Sequence, residues 1–191
     1  FGILQQIATA QEFHLVAGTD MLAPGDFGDR QFREFLLGDI DERGQVVFGA
    51  DVTTGAGGQA SGIWAGDHLG LTLVARDLSF APGVPGIRFG SVEITSGEGV
   101  LHDANGNLVF KGVLANGTGV SDANRRGIWF GVPGTTLAPI LRIGQQAPGA
   151  PAGAVFGDYL LEVAMNGPGR VAFSSLLVPG AGGVTSTNRV G

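Results

Sequence analysis

The chain copies itself at long period, and this limits its possible folds more than any other feature of the sequence. The string LVAGTDMLAPG from Leu15 to Gly25 returns as LVARDLSFAPG from Leu73 to Gly83, and again as PILRIGQQAPG from Pro139 to Gly149. DERGQVVF from Asp41 to Phe48 returns as DANGNLVF from Asp103 to Phe110 and as NGPGRVAF from Asn166 to Phe173. An aromatic residue lies between the two strings each time, at Phe32, Phe89 and Phe156. GIW occurs at Gly62 to Trp64 and at Gly127 to Trp129, with GIL at Gly2 to Leu4 as an earlier copy; NRVG from Asn188 matches NRRG from Asn124. Gly2, Gly62, Gly127 and Gly191 are therefore 60, 65 and 64 positions apart, which divides the chain into units 2–61, 62–126 and 127–190 of one repeat array.

Each unit holds four strand-like runs, clearest in the second. GIWAG from Gly62 and LTLVAR from Leu71 flank a turn-rich segment around Asp67 and His68, the pattern of a hairpin. IRFGSVEIT from Ile87 and NLVFKGVLA from Asn107 follow, the latter introduced by the turn residues HDANG. In the last run Leu108, Phe110 and Leu114 fall on one face and Val109 and Val113 on the other, so both faces are apolar and the sheet must be stacked between neighbours. Composition agrees: Gly is 35 of 191 residues, about 18% against a usual ~7%, while 43% of the chain is hydrophobic. Such a chain has enough apolar residues to bury a core and enough turn residues to join many short strands. All-β units of about 63 residues with four strands, each needing neighbours, predict β-propeller-type blades. β-Trefoil units are too short, and stacked solenoids need periods of about 20 to 30 residues. Propellers close with about 4 to 8 blades, so three units predict part of a larger ring or assembly. If each sheet takes the last two runs of one unit and the first two of the next, the opening pair, Phe1 to Ala17, and the closing pair, Val155 to Val178, are half-sheets expected to join others through their edges.

Charge removes one group of partners. Eleven Lys and Arg against 17 Asp and Glu give a net charge of −6, and Lys111 is the sole lysine. A nucleic-acid binder needs a basic face, and the densest cationic pair here is Arg125 and Arg126. Without cysteine there is no disulfide framework or thiolate metal site, and the redox compartment stays open. The uncharged stretch from Val171 to Asn188 is broken by Pro179 and several glycines, which argues against a transmembrane helix. The chain opens at Phe1 without an initiator Met or signal peptide, as expected of a processed piece or an excerpt.

The recurrent residues read first as architecture. Phe48, Phe110 and Phe173, together with Phe32, Phe89 and Phe156, are expected core anchors, each contributing about 1.5–3 kcal/mol through burial. Trp64 and Trp129 belong with them; the alternative is a sugar-stacking platform, against which Leu4 in the equivalent slot argues. Asp41, Asp103 and Asn166 precede Gly44, Gly106 and Gly169 by three positions, where a short side-chain oxygen sets a turn. Calcium is the alternative there, with Asp103 and Asn105 as ligand candidates, although the segment lacks the acidic density and distal Glu of an EF-hand. Arg76 and Arg142 are expected in salt bridges between blades, towards Asp77 or Asp158, rather than as carboxylate-binding groups. His14, His68 and His102 occupy non-equivalent positions with no close pair in sequence, so no zinc site is expected. GAGGQA from Gly55 lacks the following helix of a dinucleotide loop, and NGT at Asn116 is a formal glycosylation sequon.

The order GIWAGDHLGLTLVAR, then APG, then an aromatic, then DANGNLVF resembles the propeller-like tandem-repeat region of uncharacterised secreted bacterial proteins of the choice-of-anchor or PEP-CTERM-associated type. The resemblance implies export and a surface or matrix setting, and it implies no catalytic residues. This chain departs from the pattern at Gly18, where the other units carry Arg76 and Arg142, and at Leu4, where they carry Trp. The expectation is a non-catalytic, cofactor-free extracellular scaffold that pairs blades or strand edges with copies of itself or further blades. A carbohydrate- or protein-binding propeller module is the alternative, resting on the unequal loops at Thr53 and Asn116, and a propeller-type hydrolase or lyase is a third reading.

Overall fold

A computed structural model describes residues 14–25, 28–41, 43–53, 58–93, 100–180 and 182–189, with backbone alone for residue 37 and residues 158–161. The described residues form antiparallel sheets and no helix. The first sheet has the order β1 (Phe32–Ile40), β2 (Val46–Thr53), β3 (Gln59–Asp67), β4 (Gly70–Arg76). The second runs β5 (Phe89–Glu93), β7 (Leu108–Leu114), β8 (Arg126–Gly131), β9 (Ala138–Arg142), with the two-residue β6 (Leu101–His102) paired to β7 beside β5. β10 (Phe156–Met165) and β11 (Val171–Leu177) form a two-stranded third sheet. Each sheet thus begins after a Pro-Gly turn, and both larger sheets cross the Gly-Ile-Trp segment at which the sequence units were divided. The short β6 is not among the expected runs.

The two larger sheets share register. Phe48 lies opposite Trp64 as Phe110 lies opposite Trp129, and the pairing with the outer strand slips at Ile63/Trp64 and again at Ile128/Trp129. These bulges turn the indoles inward over the neighbouring phenylalanines.

The sheets stack face to back, and alternation along each strand places one apolar set on each face. β7 shows the consequence, since all of its seven residues are buried, including Lys111. Leu108, Phe110 and Leu114 join Phe89, Val92 and Trp129 against Val47, Ile63 and Ala75 of the first sheet. On the other face Val109 packs with Ile128 and Leu141 against Phe156, Val163 and Val171 of the third sheet. Asp77 adds a polar strut. Its carboxylate accepts from the Ser61 N–H of β3 at 3.1 Å and the Val92 N–H of β5 at 2.9 Å, tying the first sheet to the second. Burial pushes this carboxyl above its ordinary range, against the lowering effect of the two backbone bonds.

Glycine is required where the indoles lie against the backbone. A Cβ on Gly127 would come within 2.6 Å of the Leu141 carbonyl oxygen and 3.1 Å of the Trp129 ring, whereas one on Gly117 would meet open space. Gly127→Ala should therefore cost about 1–3 kcal/mol in urea unfolding through overpacking. Gly117→Ala should stay within about 0.5 kcal/mol of the parent.

Candidate functional site

Three turns of one design connect the inner strand pairs. In the first, Asp41 Oδ1 accepts from the N–H of Arg43 at 2.9 Å and of Gln45 at 3.0 Å. In the second, Asp103 Oδ1 accepts from Asn105 N–H at 2.8 Å and Asn107 N–H at 3.0 Å, and Oδ2 takes the Asn107 side-chain amide at 2.8 Å. In the third, Asn166 Oδ1 accepts from Arg170 N–H at 2.8 Å. Each closes with a backbone bond from the glycine N–H, Gly44 to Asp41, Gly106 to Asp103 and Gly169 to Asn166, at 2.9, 3.0 and 2.8 Å. Those glycines have φ of 79°, 81° and 74°, a region L side chains seldom adopt. The three residue pairs are turn-setters in the geometric sense, and both Asp103 oxygens are engaged by N–H donors of their own loop. Asn105 contributes a backbone N–H to that loop. Among the described residues there is no group of three His, Cys, Asp or Glu placed to hold a metal ion.

The turns lie next to one another across the stack. A Cβ on Gly169 would sit 2.7 Å from Asp103 Oδ2. His102, its side chain only 4% exposed, lies between the first two turns, with Nδ1 3.6 Å from Asp39 Oδ2 and Nε2 3.9 Å from Asp41 Oδ2. Neither ring nitrogen has a hydrogen-bond partner among the described residues. The adjoining cleft, of about 90 Å³, is bounded by Arg43, Gln45, His102 and Pro133. This is the nearest approach to an acid–base cluster in the described residues, and its volume is well below the roughly 300 Å³ at which small-molecule sites begin. In the sequence Asp41 reads as a turn-setter and His102 as an isolated histidine, Asp39 carries no signal, and nothing brings the three together.

The second recurrent arrangement is the indole slot. Trp64 and Trp129 are fully buried. Trp64 meets Phe32 edge-on at 4.9 Å between centroids and stacks over Phe48 at 6.1 Å; Trp129 meets Phe89 at 4.9 Å and Phe110 at 6.1 Å in the same two orientations. Each indole N–H is bonded to the proline of the incoming turn, Trp64 to the Pro24 carbonyl at 2.9 Å and Trp129 to the Pro82 carbonyl at 3.1 Å. The Pro-Gly turns therefore have a binding role beyond reversing the chain, signalled in sequence by APG recurring with GIW. Because the ring faces lie inside the sheets, neither tryptophan offers a platform to a sugar.

The third slot differs. Phe156 and Phe173 meet at 5.8 Å, yet Phe173 is 38% exposed where Phe110 is 2% exposed, and Phe156 is half-buried where Phe32 and Phe89 are fully buried. As core anchors these two depart from the expectation: among the described residues their sheet has two strands and no indole lies across the pair.

The two recurrent arginines also make backbone contacts. Arg142 donates to the Asn124 carbonyl oxygen from Nε at 3.1 Å and from Nη2 at 2.6 Å, and Arg76 donates to the Asp77 carbonyl oxygen at 2.9 Å. The Arg76 charge also acts on the neighbouring Asp77 carboxylate, lowering its pKa against the effect of burial; the side chain of Asp158 lies outside the described residues. His14 and His68, far apart in sequence, stack at 4.1 Å, so one close histidine pair does form. The Gly55 segment and Phe1 to Phe13 lie outside the described residues apart from Gly58 to Ala60, and Asn116 is exposed.

A family model spans residues 1–191, the whole chain. The chain belongs to DUF7453, a family of unknown function. No curated protein and no solved structure matches it. Among the described residues of this DUF7453 chain no helix is long and apolar enough to cross a membrane.

The turn chemistry has a pH signature. Desolvation raises the Asp103 pKa, and the opposing bonds from Asn107 and Asn105 prevail, leaving it below the ordinary carboxylate value. A depressed folded pKa contributes stability that is present above the unfolded value near 4 and lost as pH falls through the folded value. Asp103→Asn keeps an Oδ1 acceptor, as in the Asn166 turn, but sets an amide against the Asn107 amide. Denaturant unfolding across pH 2–7 should show a loss on the order of 1 kcal/mol at neutral pH and a shallower acid limb than the parent.

Proposed function

We propose that this chain is a non-catalytic, exported β-repeat scaffold whose propeller-type blades join through unfilled strand edges to form a surface, matrix or filament structure. The observation that carries the reading is the two-stranded third sheet of the described residues, whose Phe156–Phe173 pair, half-buried and 38% exposed respectively, has no indole against it, whereas in the other two sheets an indole lies on the same pair. Exposed strand edges and uncovered aromatic faces are templates for pairing. The opposite end of the stack is also incompletely covered: Phe35 of β1 is 38% exposed and borders an open cleft with Val16, Ile40 and Phe48.

Three further points support the reading over its competitors. The recurrent polar residues satisfy backbone groups of their own turns, so they are structural in their bonding. The buried indoles leave a lectin-like site without its usual stacking surface. The cleft beside His102 is too small for a substrate of ordinary size. Export and an anchored setting follow the resemblance of the repeat signature to secreted bacterial arrays, and the repeat units 2–61, 62–126 and 127–190 are the elements such an array multiplies.

Native mass spectrometry of the purified chain at micromolar concentration tests the scaffold. Species heavier than the 19.4 kDa chain, with ordered particles or polymers in electron micrographs, are expected. A lone 19.4 kDa species at every concentration would remove the reading.

A further inference from the structure

We propose that Asn116 is a self-modifying site, at which the peptide nitrogen of Gly117 closes on the Asn116 side chain and converts its amide into an aspartyl or isoaspartyl carboxylate. The reaction needs no partner protein and is independent of the scaffold reading.

The chain carries the Asn-Gly pair three times, at Asn105–Gly106, Asn116–Gly117 and Asn166–Gly167. Glycine after asparagine leaves the attacking nitrogen uncrowded, because no Cβ stands beside it. By that criterion the three pairs are equal. The fold separates them through the two groups that must meet, the glycine nitrogen and the asparagine carboxamide.

At Asn105 the nitrogen is taken. Gly106 N–H donates to the Asp103 carbonyl at 3.0 Å, and Asn105 N–H donates to Asp103 Oδ1 at 2.8 Å. The ionised carboxylate in that turn further opposes loss of a proton from the glycine nitrogen. At Asn166 the carboxamide is taken, since Oδ1 accepts from Arg170 N–H at 2.8 Å. The main chain of the same residue is closed by Asn166 N–H to the Arg170 carbonyl at 3.1 Å and by Gly169 N–H to the Asn166 carbonyl at 2.8 Å. Swinging that side chain onto Gly167 would undo the turn it sets.

Asn116 is held in neither way. Asn116, Gly117 and Thr118 are exposed, and among the described residues the Asn116 carboxamide has no hydrogen-bond partner. The well-formed bond of the Gly117–Val120 bridge runs from Val120 N–H to the Gly117 carbonyl at 3.0 Å and does not occupy the attacking nitrogen. A Cβ on Gly117 would meet nothing within 4 Å, so the loop has room for a ring. The flanks are pinned, by Ala115 N–H on the Arg88 carbonyl at 2.8 Å and by Asn124 Nδ2 on the Gly119 carbonyl at 2.9 Å, which confines the freedom to the pair itself. In the third unit Pro179 stands two residues after Leu177, as Asn116 stands two after Leu114, so that unit has no such site there.

The attack is intramolecular, between groups on adjacent residues. Hydroxide removes the Gly117 amide proton, and the nitrogen electron pair forms the N–Cγ bond of a succinimide ring. The Cγ–Nδ2 bond breaks, and ammonia leaves with a proton taken from water. Water then adds to either ring carbonyl. Opening at Cγ restores the main chain and leaves a side-chain carboxylate, whereas opening at the α-carbonyl routes the main chain through Cγ. Nothing is oxidised or reduced, and either product adds one negative charge to a chain already at −6.

The test holds the purified chain in mildly alkaline buffer, native and in urea, and follows the peptides around the three pairs by mass spectrometry. In the native chain position 116 should convert about tenfold faster than positions 105 and 166, and in urea the three rates should converge to within about twofold. Gly117→Ala should slow conversion at position 116 about tenfold with unchanged far-ultraviolet circular dichroism. If that variant misfolds, the comparison of native and unfolded parent chain still decides. Equal native rates at the three pairs, native conversion led by Asn105 or Asn166, or an Asn116 that stays intact while the urea sample reacts would each overturn the inference. So would a folded Gly117→Ala chain that converts at the parent rate.

Discussion

The structure depends on one contact, an indole inserted between two phenylalanines of its own sheet and bonded through its N–H to the proline carbonyl of the turn that brings the chain into that sheet. The contact joins elements about forty residues apart in sequence and fixes three things together: the register of the neighbouring strands, the bulge in the outer pair, and the position of the incoming turn. Burying an aromatic side chain of this size contributes a few kcal/mol, and the N–H would cost a comparable amount if left without an acceptor. A small sheet without that contact has two apolar faces and little to hold its strands in one alignment. The glycines under the indoles follow from the same requirement, because the ring lies where a Cβ would be.

Much of this was legible in the sequence because repetition exposes constraint. Phe32, Phe48 and Trp64 reappear as Phe89, Phe110 and Trp129 with intervening lengths that vary, so the invariance of the residues marks what is packed and the variation marks what is looped out. The alternating apolar pattern of β7 announced burial on both faces. The turn role of Asp41, Asp103 and Asn166 followed from their distance to glycine. Pairings between sheets were not legible. His102 and Asp39, the stacked His14 and His68, and Asp77 bridging Ser61 and Val92 each belong to one copy only, so no recurrence betrays them. Arg142 shows a different limit: a guanidinium beside acidic residues suggests an ion pair, but backbone carbonyls at strand ends compete equally well for its donors. Phe173 is a reminder that the same residue in an equivalent string takes its burial from what lies across it.

Many polar side chains of the described residues are bonded to nearby backbone. Carboxylates and amides at the turns accept from nearby N–H groups, Arg76, Arg88 and Arg142 donate to carbonyls, and the buried Asp77 bonds main-chain groups of two sheets. Side chains committed in this way hold the shape of the turns and the spacing of the sheets.

Because each complete sheet is assembled from the latter part of one sequence unit and the beginning of the next, the covalent chain stitches every sheet to its successor. A duplication or deletion of one whole unit in the gene would cut through the middle of a sheet yet rejoin it to an equivalent half. The contacts inside each sheet would survive such a change in the number of units.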